Sequence, residues 1–435
     1  MSAVLVGFVS IIVMCVLIFG GMHIAFALAL CSFVGVWVIK GDLSIALNLL
    51  GTSAVESIAT YDFAVVPLFV LAGALVGVAD MATDAFRAAN QMLRRTKGGV
   101  AIATVLGNAV LSAVTGVTIA SVAIFTKLAV PQMLKLGYRP RFAVGVVAGS
   151  GVLGMLIPPS LLMIVYCFLT DSSVGKIFIA SVVPGLLLTL MLCVGVWLMA
   201  HWFPGFVGEA RNDAGVKLMS GFQLLKGVAP ITVLLLLIFG GIYGGIFTAT
   251  EAGATSALMA FVFAVGRRRL TVVSAWLVIR ESGTITVAIL LLIVAAMMYS
   301  RMLALSGLPG WFTGALANSH MGYWVLLVCY VFLLLFLGTF LDSMSTILLS
   351  VPLMWPVFQN YGVNVYWFGI VTILATEMGI VTPPLGISAF VVKSTLNDPD
   401  ITLSDIYAGS YPFLGIMFFA LIVIIAFPAL STLLL

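Results

Sequence analysis

The sequence predicts an all-α polytopic membrane protein made of two inverted repeats, each with five spans and a re-entrant helical hairpin. Three observations lead there. Hydrophobic residues make up 63% of the 435 residues and charged residues only 8%, with a mean hydropathy of +1.27; a soluble domain is about a quarter charged. Ten apolar stretches are long enough to cross a bilayer. A punctuation of glycines and prolines recurs at a fixed shift along the chain.

A crossing helix needs about 20 apolar residues. Residues 3–20, 22–39, 63–79, 141–169, 177–202, 227–245, 248–266, 283–300, 364–392 and 409–433 qualify. Residues 99–131 and 321–358 are too long for one crossing and tight for two. Each is interrupted near its middle, by Ser112-Ala113-Val114-Thr115-Gly116-Val117-Thr118 and by Gly338-Thr339-Phe340-Leu341-Asp342-Ser343. Each is expected to form a re-entrant hairpin, because irregular backbone at membrane depth survives only inside protein or beside a wet cavity. A pair of tight ordinary spans is the alternative, and both start and end on one side. The 267–282 segment, arginine-rich and then apolar, is expected to lie along the inner interface. The start, Met1-Ser2-Ala3-Val4, lacks a basic region and a cleavage site, so residues 3–20 are expected to be a retained first span.

Orientation follows from the positive-inside rule. With the N-terminus on the periplasmic side, the inner loops receive Arg87, Arg94, Arg95, Lys97, Lys127, Lys135, Arg139 and Arg141. They also receive Arg211, Lys217, Lys226, Arg267, Arg268, Arg269, Arg280 and Lys393, making 16 of 19 basic residues. Only Lys40, Lys176 and Arg301 fall outside. The small net charge of +4 is thus spent on topology, and no face suited to nucleic acid is expected.

Sliding the chain along itself until Pro131 falls on Pro356 also places Gly137 on Gly362, Gly154 on Gly379, and Pro158-Pro159 on Pro383-Pro384. A slightly smaller shift matches Ile18-Phe19-Gly20-Gly21 with Ile238-Phe239-Gly240-Gly241. The repeats are therefore set at 1–225 and 226–435, each with a hairpin followed by a span broken at Gly-x-x-x-Pro-Pro. Five crossings separate equivalent points, and an odd number inverts the second repeat. Inverted repeats with broken helices point to a secondary transporter. Proline in mid-span removes backbone donors and frees carbonyls for a small cation, while half-helix N-termini carry partial positive charge suited to an anion.

Ionisable groups at membrane depth are costly and so presumptively functional. Asp342 sits in the second hairpin break, where its carboxylate can ligate a cation or hold the tip's backbone amides. Glu251 follows Thr248 and Thr250 at a helix start, where capping and function are equal readings. Glu377 lies two residues before Gly379, lining a site or buried in a pair. Arg301 is suited either to holding a carboxylate substrate or to snorkelling. Enzyme chemistry finds no support: His23, His201 and His320 are far apart, no P-loop is present, and Gly149-Ser150-Gly151-Val152-Leu153-Gly154 lies inside an apolar span with no preceding strand. Cys15, Cys31, Cys167, Cys193 and Cys329 all sit in apolar stretches and are expected to be core residues.

At these positions the chain resembles the large membrane (permease) subunit of TRAP transporters, the tripartite ATP-independent periplasmic family. The resemblance runs nearly end to end. It is carried by Gly20-Gly21-Met22, Ile24-Ala25-Phe26, Ile157-Pro158-Pro159-Ser160 and Gly241-Ile242-Tyr243. To these are added Gly245-Ile246-Phe247-Thr248-Ala249-Thr250-Glu251-Ala252, Phe340-Leu341-Asp342 and Glu377-Met378-Gly379-Ile380-Val381-Thr382-Pro383-Pro384. His23 and Ala249 depart from it, standing where the family often has proline. The resemblance implies an elevator-type ion-transporter fold in the bacterial inner membrane, a small four-helix membrane partner and a periplasmic binding protein. It also implies a sodium gradient, with Na+ as coupling ion and no organic cofactor, driving uptake of a small carboxylate such as a C4-dicarboxylate, sialic acid or keto acid.

Carried onto this sequence, the resemblance implies cation ligands among Ser112, Thr115, Gly116 and Gly154 in the first repeat. In the second they are Gly338, Thr339, Asp342, the threonine of the Ala375-Thr376 step and Gly379. Ser121, Pro158, Pro159, Arg301, Pro383 and Pro384 are the substrate-binding candidates, with Glu251 and Glu377 as coupling or structural charges. A stand-alone sodium/anion symporter, which would work without partner subunits, is the alternative.

Overall fold

The computed structural model describes residues 2–59, 61–208, 220–318 and 322–435. Among them the regular elements are helices, and the β structure is one isolated antiparallel bridge between Tyr138 and Gly208. Arg211, Lys217 and His320 lie outside the described residues.

Among the described residues six helices are individually long and apolar enough to cross a membrane: Val174–Trp202, Gly221–Tyr243, Ala249–Gly266, Val272–Ser306, Tyr323–Phe340 and Leu403–Ala426. Two bent pairs raise the number to eight when each is counted as one span. Val65–Val78 meets Met81–Leu93 at 62°, and Pro140–Leu156 meets Leu161–Thr170 at 43°. Other expected spans are shorter helices. Ala3–Phe19 and Ile24–Lys40 have 17 residues each, about 26 Å, at the lower limit for crossing the hydrocarbon core.

One expectation is corrected. The 267–282 segment does not form a separate interfacial helix. Its residues from Val272 onward run unbroken into the next span, giving a 35-residue helix, Val272–Ser306. Thr271 and Ser274 start it with a reciprocal cap. No proline follows before Ser306, and the single Gly283 costs only about 1 kcal/mol relative to alanine, too little to end a helix. At about 52 Å the helix exceeds the ~30 Å core. A helix that the apolar pattern does not mark, Leu43–Ala59, occupies the stretch after Ile24–Lys40.

The two hairpins form as pairs of arms, Gly99–Thr115 with Thr118–Lys135 and Tyr323–Phe340 with Ser343–Asn360. They break at Gly116-Val117 and at Leu341-Asp342, positions related by the same shift that superposes the two proline pairs. Gly116 takes the left-handed backbone at φ 63. Asp342 caps the arm after it, its carboxylate accepting from the Met344 and Ser345 amides at 3.1 and 3.3 Å. The two broken spans are Pro140–Leu156 with Leu161–Thr170 and Val365–Gly379 with Ile387–Leu396. Both proline pairs are cis.

Glycine lets each hairpin lie against a broken span. A Cβ on Gly154 would fall 2.7 Å from the Thr118 Cα, and one on Gly379 would fall 2.7 Å from the Gly338 Cα. Each contact is backbone against backbone, so no side-chain rearrangement would relieve it.

Candidate functional site

The hairpin tips are tied to the broken spans by backbone hydrogen bonds. The Leu161 amide donates to the Gly116 carbonyl at 3.3 Å, and the Gly386 amide donates to the Thr339 carbonyl at 3.3 Å. The two donors, Leu161 and Gly386, are again repeat equivalents. A Cβ on Gly116 would meet the Pro159 carbonyl oxygen at 2.6 Å, so the first tip and the first proline pair touch through main chain alone.

Between the tips lies a cavity of about 180 Å³. Its walls include Val117, Thr118 and Ile119 from the first hairpin and Asp342, Ser343 and Met344 from the second. Residue by residue, these are three equivalent pairs. Met155 and Ile380 form a fourth, and Ile285 and Ile289 of the long helix close one side. Four helices begin at this wall: Thr118–Lys135, Leu161–Thr170, Ser343–Asn360 and Ile387–Leu396. A helix N-terminus carries about half a positive charge, and at two of these four the first amides are already engaged, Met344 and Ser345 by Asp342 and Leu161 by Gly116. No arginine or lysine stands in the wall, and its one charged side chain is Asp342.

One buried carboxylate sits against both tips. Glu377 accepts from the Thr118 hydroxyl on Oε2 and from the Ser343 hydroxyl on Oε1, both at 2.6 Å. It has no ion pair among the described residues, so of its two sequence readings, lining a site or buried in a charge pair, the second does not describe it. Its charge is met by hydroxyls from the two hairpins.

The helices that end near the same level supply the opposite polarity. Ser112, in the last turn of Gly99–Thr115, and Thr376, in the last turn of Val365–Gly379, are fully buried with hydroxyls that have no partner among the described residues. Ser388, just past the second proline pair, is likewise buried and unpartnered. Buried hydroxyls without a partner are uncommon. Such hydroxyls are hard oxygen donors of the kind that suits a small cation. The residues therefore fit sodium.

Other expected residues have local roles. Thr115 and Thr339 return their hydroxyls to the Leu111 and Phe336 carbonyls at 3.1 and 2.8 Å, and Ser121 donates to the Thr118 carbonyl at 3.0 Å. Glu251 closes a reciprocal cap with Thr248, its Oε2 accepting from the Thr248 amide at 2.8 Å. Arg301 lies away from the cavity wall, donating to Glu56 Oε2 at 2.6 Å and to Ser53 Oγ at 3.0 Å, so it joins the long helix to Leu43–Ala59. Sequence reasoning misses Thr118 and Ser343 as site residues. The signal that finds them is the repeat itself, since a hydroxyl stands at both equivalent positions.

Residues 11–430 match the family model described as the tripartite ATP-independent periplasmic transporter, DctM component. The chain belongs to the DctM family. As a DctM-family protein it is a transporter permease component and not an enzyme. It is 33% identical to the C4-dicarboxylate TRAP transporter large permease protein DctM of Pseudomonas aeruginosa over 89% of this chain and 88% of that one. It is 29% identical to the sialic acid TRAP transporter large permease protein SiaM of Vibrio cholerae over 96% of each. With the 2,3-diketo-L-gulonate TRAP transporter large permease protein YiaN of Escherichia coli it shares 25% identity over 94% of each. The fold of this DctM-family chain is similar to the solved YdaH transporter of Alcanivorax borkumensis, with a TM-score of 0.63 at 13% identity over 88% of this chain and 89% of that one.

Proposed function

We propose that this DctM-family permease carries out sodium-coupled uptake of a small organic acid in the bacterial inner membrane, working with a small membrane subunit and a periplasmic binding protein. The substrate is a carboxylate of the kind named for the relatives: a C4-dicarboxylate, a sialic acid or a keto acid. One observation supports this above others: four helix N-termini and both hairpin tips converge on a single cavity of about 180 Å³. A carboxylate there would meet the positive ends of those helices.

Sodium would be held one turn away, by Ser112 with carbonyls at the end of the first hairpin arm and by Thr376 with carbonyls near the second proline pair. Glu377 joins the two tips, so a cation that tightens one tip changes the wall that the anion meets at the other. In an elevator cycle the hairpins and broken spans would move as one block, carrying cavity and cations together. The main-chain bonds from Leu161 to Gly116 and from Gly386 to Thr339 suit such a block.

The test is uptake into proteoliposomes holding this chain and the small membrane subunit, with the loaded binding protein added outside. Accumulation should need an inward sodium gradient and should stop when sodium is replaced by potassium. Equal accumulation in potassium would refute sodium coupling, and uptake without the binding protein would favour the self-sufficient symporter.

A further inference from the structure

A second, larger cavity of about 1180 Å³ opens beside the 62° bend between Val65–Val78 and Met81–Leu93. Its walls also come from the start of Gly221–Tyr243 and the end of Ala249–Gly266. Six cations line it: Arg87, Arg94, Lys226, Arg267, Arg268 and Arg269. Two carboxylates, Asp80 and Asp84, oppose them. Asp84 is taken by Arg267, whose Nη1 lies 2.5 Å from Asp84 Oδ2 and 3.1 Å from the Ala79 carbonyl. Asp80 accepts from the Thr83 hydroxyl at 2.5 Å. The other five cations make no ion pair among the described residues. Like charges gathered around one concavity repel each other, and an anion placed among them relieves that repulsion.

We propose that this cavity binds the phosphate headgroup of an anionic phospholipid. Guanidinium groups suit phosphate oxygens through paired N–H donors, and five arginines stand here beside one lysine. The lipid source follows from the rim. Gly221–Tyr243 and Ala249–Gly266 are both apolar enough to cross a bilayer. On their outer faces next to the cavity Phe222, Leu225, Val262 and Val265 are 75, 66, 49 and 48% exposed. A headgroup among the arginines can lay its acyl chains along that apolar surface, whereas a free phosphate leaves it uncovered. Basic pockets between crossing helices at the cytoplasmic leaflet recognise anionic headgroups in this way.

The position gives the lipid a purpose. Met81–Leu93 packs against Gly99–Thr115, the first arm of the first hairpin, and also against Gly221–Tyr243. A headgroup bridging Arg87 to Arg268 and Arg269 therefore clamps the helix beside the hairpin to the neighbouring crossing helices.

The test uses the full-length protein in phosphatidylcholine nanodiscs doped with phosphatidylglycerol, with retained lipid measured by native mass spectrometry. The wild type should keep phosphatidylglycerol selectively. Replacing Arg87, Arg268 and Arg269 together with glutamine should lower that retention roughly tenfold or more, with phosphatidylcholine adducts unchanged. Replacing the same three with lysine should preserve most of it, which separates loss of charge from loss of fold. Undiminished retention in the glutamine variant, or equal losses in the glutamine and lysine variants, would overturn the proposal. So would displacement of phosphatidylglycerol by millimolar inorganic phosphate, which would mark a site for a soluble anion.

Discussion

Thr118 and Ser343, one from each hairpin, donate to opposite oxygens of the same carboxylate, Glu377. The two donors are repeat equivalents, but Glu377 is not duplicated: its own equivalent is Val152, a buried apolar side chain. The junction between the hairpins is thus symmetric in its donors and asymmetric in its acceptor.

Removing the acceptor should strand both hydroxyls. Glu377→Ala is expected to lower stability by about 2–6 kcal/mol, from two unpaired buried groups at about 1–3 kcal/mol each, and to abolish uptake. Glu377→Gln, which still accepts on one side, should lose less of both. Melting temperature in detergent and uptake in proteoliposomes measure the two effects; full uptake by the alanine variant would show that the tips need no common anchor.

Gly116→Ala places a methyl 2.6 Å from the Pro159 oxygen at a backbone φ of 63. Left-handed strain costs about 1 kcal/mol and overpacking about 1–3 kcal/mol more. The variant should reach the membrane, melt several degrees lower and transport poorly. An unchanged melt would mean that the tip can move away from the proline pair.

Sodium dependence separates two roles of Asp342. Asp342→Ala removes both its charge and its cap, the latter worth about 0.5–2 kcal/mol, and should weaken the sodium dependence of uptake. Asp342→Asn keeps a capping oxygen. Should the carboxylate ligate the cation, asparagine will raise the half-saturating sodium concentration as alanine does; should it only cap, asparagine will restore the wild-type value. Unchanged sodium dependence in a well-expressed alanine variant removes Asp342 from the site.

Ser112→Ala and Thr376→Val delete two buried hydroxyls that lack partners. Neither leaves a stranded protein group, so stability without sodium should change by less than about 1 kcal/mol. The sodium concentration for half-maximal uptake should rise roughly tenfold, measured at fixed substrate. If it does not, those hydroxyls ligate nothing.

Arg301→Ala is expected to leave the substrate concentration for half-maximal uptake unchanged. Its pair with Glu56 is exposed on both sides, and such pairs contribute about 0–1 kcal/mol. A large rise in that concentration would return Arg301 to the substrate path.

Much of the architecture is legible in the chain because bilayers impose length and glycine and proline impose breaks. The shift linking Pro158-Pro159 to Pro383-Pro384 also locates the hairpin tips, at Gly116 and Leu341. Helix continuity is less legible. The arginine run at Arg267–Arg269 suggests a surface helix, while Thr271 capping and an uninterrupted ladder carry the chain straight into the next span. The site is legible in part. The breaks point to Ser112 and Asp342 as candidates, but the convergence of Thr118 and Ser343 on Glu377 joins contacts 259 and 34 positions apart, which no local pattern carries.

The smaller cavity has no basic side chain in its wall, which is mostly apolar, and that shapes how the permease can evolve. Backbone geometry at the helix ends survives almost any substitution in the wall, so swapping Met155, Ile289 or Met344 can resize the chamber while the helix ends around it stay put. New acids are then admitted by altering volume alone, one apolar residue at a time.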